Sequence, residues 1–239
     1  MNPFWRIFFV LAIFSIAMGF LEAAVVIYLR ELYYPEGFKF PLSPIPPAIA
    51  GIELLREAAA IIMLLAIGII AGKNAVQRFS FFIFCFGAWD IFYYIFLKLF
   101  LDWPDSLFTW DILFLIPVPW IGPVIAPCIL SMSMILLTLL IAYYYQYDLR
   151  VSISKREWLL LIAGAVSVIF SFMWDYIHYL LSNKRSSLWT PLSQEQMFND
   201  ITGYVPQSFN WTLFTLGELL LLLATGLLVN RHNKLLKLR

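Results

Sequence analysis

Residues 78–101 read RFSFFIFCFGAWDIFYYIFLKLFL. Between Arg78 and Lys98 the one charged residue is Asp90. A helix of about 20 apolar residues crosses a hydrocarbon core of ~30 Å, and this stretch meets that length. An acid at the centre of such a span costs about 2.5–3.5 kcal/mol on insertion scales, so one kept there is expected to have a partner or a task.

The rest of the chain has the same character. Of 239 residues, 62% are hydrophobic, 18% aromatic and only 13% charged, and the mean hydropathy is +0.83. A soluble domain of this size carries about 25% charged residues. Too little polar surface remains here for a water-soluble globule, a secreted disulfide scaffold or a disordered chain. Sixteen Lys and Arg against fifteen Asp and Glu give a net charge of +1, which offers no electrostatic case for nucleic acid. Cys85 and Cys128 sit in apolar stretches with neither CxxC nor zinc spacing, and read as small buried side chains.

Six segments reach spanning length: roughly 4–29, 48–72, 78–101, 121–146, 157–181 and 208–230. The first is too long for a signal-peptide apolar region of about 7–15 residues and carries Glu22, so it reads as a retained span. Each span must be helical, because lipid offers no partner to an open backbone amide. The fold expected is one all-α polytopic membrane bundle over residues 1–239. Within it, Leu107–Ile116 is too short to span and reads as an interfacial or re-entrant half-helix stopped by Pro117 and Pro119. Pro123 and Pro127 are expected to bend the fourth helix.

Basic residues set the orientation. With the N-terminus inside, Arg6, Lys73, Arg78, Arg150, Lys155, Arg156, Arg231, Lys234, Lys237 and Arg239 are internal. Arg30, Lys39, Lys98, Lys184 and Arg185 are external, and His232 falls in a solvated basic tail. Ten against five puts both termini in the cytoplasm and suits a plasma membrane.

A short internal echo links helices three and five. Ile83-Phe84-Cys85-Phe86 matches Ile169-Phe170-Ser171-Phe172, and each is followed by Trp-Asp, at 89–90 and 174–175. Chance explains such a match in a Phe-rich chain as readily as duplication does.

The charges on the spans carry the functional signal. Glu22, Glu53, Glu57, Asp90, Asp175 and Glu218 face one certain cation, Arg56, with His178 and Lys98 as further candidates. All are expected between the midplane and the outer surface. Residues three and four apart share a helix face. Glu53, Arg56 and Glu57 therefore form one stripe. Gly87, Asp90, Tyr94 and Lys98 form another, Ser171, Asp175 and His178 a third, and Trp211, Thr215, Glu218 and Thr225 a fourth. These stripes are expected to line a polar cavity open to the outside. The surplus of acids means that some hold protons or that a cation joins them.

The candidate catalytic residues are Asp175, His178, Glu53, Glu57 and Asp90. The candidate binding residues are Arg56, Glu22, Glu218, Trp89, Trp174, Tyr94 and Asp111. Asp175-x-x-His178 and Glu53-x-x-x-Glu57 could each aim two ligands at a divalent metal, although an Asp–His hydrogen bond explains the first equally simply. Glu53, Arg56 and Glu57 also make sense as a self-neutralising helix lock. Two functions follow: an intramembrane enzyme using acid–base chemistry on a lipid-soluble substrate, or a small proton- or cation-coupled transporter. A structural subunit, with polar residues that only join helices, is the third reading.

Overall fold

A computed structural model of the chain describes residues 3–147, 151–182 and 202–237. Arg150, Lys184, Arg185 and Arg239, four of the cations that set the orientation, lie outside the described residues. So does most of the polar 182–207 connection.

Among the described residues the chain forms six long helices: α1 (Pro3–Tyr33), α2 (Pro47–Ala71), α3 (Ala75–Leu101), α4 (Ile125–Tyr145), α5 (Lys155–Ser182) and α6 (Trp211–Lys237). All six are long and apolar enough to cross a bilayer. Their boundaries follow local chemistry. Pro47 opens α2 at its first position, where a missing N–H is harmless. The Asn74 side chain caps α3 by accepting from the Gln77 amide at 3.0 Å.

Helix α3 packs against α1, α2 and α4, while α5 pairs with α6. Phe8, Leu11, Leu64, Phe81, Phe84 and Cys85 fill the space between α1, α2 and α3 at the end where the chain terminates. Ile83, Leu137, Ile141, Leu161 and Leu228 fill the space between α3, α4, α5 and α6. Outward apolar side chains such as Ile70 (78% exposed) and Leu159 (68%) can only face lipid in a stable molecule.

The expected half-helix over Leu107–Ile116 is instead the start of a β-hairpin. Strand β1 (Trp110–Phe114) pairs antiparallel with β2 (Trp120–Pro123), with Asp111 opposite Gly122 and Ile112 opposite Ile121. Two prolines in the connecting segment forbid a continuing helix, and the flanking Trp, Ile and Phe residues favour an extended chain. Helix α4 also departs from expectation. Pro123 closes β2, and Pro127 falls in the first turn of α4, where its missing N–H disturbs no intrahelical bond. The two prolines therefore start the helix and do not bend it.

The α6 helix runs past the expected end at 230. His232, expected in a solvated tail, is fully buried: Nδ1 meets the Leu228 carbonyl at 2.9 Å and the ring lies 5.1 Å from that of Tyr144. Continuing the helix carries this face back onto α4.

Gly19 sets how closely α1 approaches α3. A Cβ there would stand 2.9 Å from the Trp89 carbonyl oxygen and 3.1 Å from the Tyr93 amide nitrogen, both backbone atoms that cannot yield. Gly19→Val is expected to lower stability by about 1–3 kcal/mol through overpacking. Gly226→Val, where a Cβ meets nothing within 4 Å, should leave the thermal midpoint in detergent nearly unchanged.

Candidate functional site

A cavity of about 250 Å³ opens at the end of the bundle that carries the α1–α2 connection and the hairpin. Helix α1 gives it Glu22, Val26, Arg30 and Tyr33; α2 gives Glu53, Arg56 and Glu57; α3 gives Trp89, Asp90, Tyr93 and Tyr94. The hairpin closes one side with Asp111 through Leu115. On each helix these residues recur at three- and four-residue spacing, which aims them at a common centre.

Two ionic clusters form the walls. The Arg56 guanidinium is forked onto Glu53, with Nε donating to Oε2 at 2.9 Å and Nη2 to Oε1 at 2.5 Å. Its Nη1 donates to Glu22 on α1. Such planar bidentate pairing fixes geometry as well as charge. In the second cluster, Arg30 Nη2 donates to Asp111 Oδ1 at 3.2 Å, and the Tyr94 hydroxyl donates to Asp111 Oδ2 at 3.1 Å. The Arg30 guanidinium also lies in the corner of two perpendicular rings, 4.4 Å from the centroid of Phe38 and 3.7 Å from that of Trp103.

Two acids in the cavity wall are held by neutral donors. Glu57 Oε2 accepts from the Leu115 amide at 2.9 Å, and Asp90 Oδ2 accepts from the Ser131 hydroxyl at 2.8 Å. Trp89 is 5% exposed, and its indole N–H has no hydrogen-bond partner. Phe114 from the hairpin lies against Trp89 and Phe86, with centroids 6.1 Å apart in both cases.

The structure thus gathers Glu22, Glu53, Arg56, Glu57, Trp89, Asp90, Tyr94 and Asp111 around one space. It places the other candidates elsewhere. Asp175 does not face the cavity: its carboxylate accepts from the Tyr204 hydroxyl at 2.5 Å and from the amides of Gln207 and Ser208 at 2.9 and 3.3 Å. It organises the segment leading into α6. Burial and the neighbouring Asp175 carboxylate hold the Tyr204 phenol well above its ordinary range. His178 and Trp174 are exposed on α5. Glu218 is buried between α6 and α4, where it accepts from the Ser133 hydroxyl at 2.7 Å. Lys98 is tied to Asp102 at 2.7 Å beyond the end of α3, and Trp211 and Thr215 face outward.

The two pairs considered as metal ligands, Asp175 with His178 and Glu53 with Glu57, lie apart, the first on α5 and the second in the cavity wall. Among the described residues no three His, Cys, Asp or Glu side chains group as metal ligands.

Sequence reasoning missed Arg30, which it counted as an external loop cation. Its position eight residues after Glu22, with Val26 between, placed it on the same face and was a legible signal. Ser131 and the Leu115 amide left no such trace, because they reach the site only through tertiary packing.

No protein-family model, no curated protein and no solved structure matches the chain. The site is therefore read from its own chemistry.

Asp111→Leu leaves Arg30 buried without its acid and is expected to cost about 3–5 kcal/mol in unfolding experiments in detergent. The double variant Arg30→Met/Asp111→Leu should recover most of that loss, since it removes both charges together.

Proposed function

We propose that the protein is an intramembrane enzyme whose cavity uses Glu57 and Asp90 as a proton-transferring pair on a small lipid-soluble substrate. The observation that carries this reading is the division of labour among the cavity's acids. Glu22, Glu53 and Asp111 are paired with the two arginines, while Glu57 and Asp90 meet only neutral donors. Each keeps a second carboxyl oxygen, Oε1 and Oδ1, that makes no hydrogen bond among the described residues. Those atoms are placed to give and take a proton.

Closure beneath the cavity supports chemistry over passage. The opposite half of the α1–α3 trio is filled by Phe8, Leu11, Leu64, Phe81 and Phe84. A carrier needs a second opening there.

The hairpin supports access from lipid. Leu115 and Val118 pack near Leu54 of α2, and Ile121 packs near Tyr176 of α5, so the hairpin fills the gap between those helices. At its tip Ile116 and Pro117 are exposed. Glu57 lies ten residues into α2, about 15 Å along the helix, so the Leu115 amide it holds is at bilayer depth. Non-helical backbone survives there because Glu57 satisfies that amide, while Pro117 and Pro119 have no N–H to satisfy. A tip of this kind is a side wall that an apolar molecule can pass. In the plasma membrane, with both termini cytoplasmic, the cavity faces the outer side.

The test is mass spectrometry of lipids from membranes expressing the wild type or Glu57→Gln/Asp90→Asn. The wild type is expected to deplete one species and accumulate its product, and the folded variant to change neither. Unchanged lipids, together with labelling of the buried Cys85 by a water-soluble maleimide from the terminal side, would replace the enzyme with a carrier.

A further inference from the structure

We propose that the cavity is selective for a positively charged amphiphile carrying an ammonium group. This deepens the reading above by naming its substrate class, and it stands on charge and on the rings that line the cavity.

Five carboxylates line the space against two guanidiniums. Both guanidiniums are already engaged within the wall, Arg56 by two acids, Glu22 and Glu53, and Arg30 by Asp111. Neither is free to hold an incoming anion. Glu57 and Asp90, on facing helices, have no cationic partner. In a low-dielectric cavity a carboxylate on the guest would be repelled by this set, and a neutral guest would leave the imbalance as it was. A cation corrects it. Trp89, Tyr93, Tyr94 and Phe114 supply ring faces around the same space, and such faces attract a desolvated cation. The protein already uses this device once, where Phe38 and Trp103 clamp the Arg30 guanidinium.

The cavity's 250 Å³ lies below the ~300–1,000 Å³ of drug-sized sites, so it takes a head group and a short apolar length. The remaining tail leaves past Ile116 and Pro117 into lipid.

The experiment is a charge series on the full chain in non-ionic detergent. Thermal unfolding and native mass spectrometry are read with N-octylethanolamine, decylamine, decanol and decanoate, which have similar apolar bodies. N-octylethanolamine and decylamine are each expected to bind about tenfold or more tighter than decanol or decanoate, the difference a charge-assisted contact makes. Glu57→Gln and Asp90→Asn should each erase the preference for amines.

Equal binding across the series, a preference for decanoate, or an amine preference unchanged in the acid variants would overturn the proposal. The wild-type series alone decides the charge question if a variant does not fold. Lipid turnover without amine selectivity would sink this inference and leave the enzyme. Amine selectivity without turnover would do the reverse.

Discussion

A guanidinium in an apolar helix bundle must be answered by acids, and bringing those acids in from other elements organises this protein. Arg56 sits on α2, but its partners come from its own helix and from α1. Arg30 sits on α1, but its acid comes from the hairpin and its ring clamp from Phe38 and Trp103. Neither arginine can be solvated by lipid, so each pairing is also an assembly instruction. The first ties α1 to α2. The second ties α1 to β1, and through Tyr94 it reaches α3. Four elements are thereby fixed around one point by two cations.

The hairpin completes what the helices leave open. Six helices with one broad gap would expose the polar cavity to lipid on its side. A seventh helix does not fit in the stretch between α3 and α4, since Pro117 and Pro119 break any continuous helix there. Two short strands do fit, because they satisfy each other's backbone while their tip is poor in donors. The Leu115 amide, in the cavity wall, is met by Glu57. Fold and site therefore share a hydrogen bond: the acid that faces the cavity also holds its wall in place.

Much of this was legible in the chain before folding. Apolar length gave the six helices to within a few residues at most ends, because the bilayer imposes a length that composition alone reveals. Three- and four-residue spacing placed Glu53, Arg56 and Glu57 on one face, and Asp90 and Tyr94 on another. The hairpin escaped because Leu107–Ile116 has no period that separates a short strand from a short helix. Asp175, His178 and Glu218 lie away from the cavity for a different reason. Burial of an acid was taken as convergence, yet an acid can be satisfied locally. The Tyr204–Ser208 segment answers Asp175, and Ser133 answers Glu218. Spacing within one helix cannot reveal a partner supplied by another.

Of the three Trp-Asp pairs, the two on helices show where a site comes from. In α3, Gly19 on α1 lets a neighbouring backbone come within contact distance, Trp89 is buried, and Asp90 turns toward the cavity and Ser131. In α5 the same dipeptide stands at the lipid face: Trp174 is 41% exposed, and Asp175 is closed off by the backbone of the chain entering α6. The residues are identical, and the local helix is identical. What differs is which neighbours crowd each copy and whether a polar loop reaches it first. Convergence, and not the motif, separates an acid available for chemistry from one that merely anchors a turn.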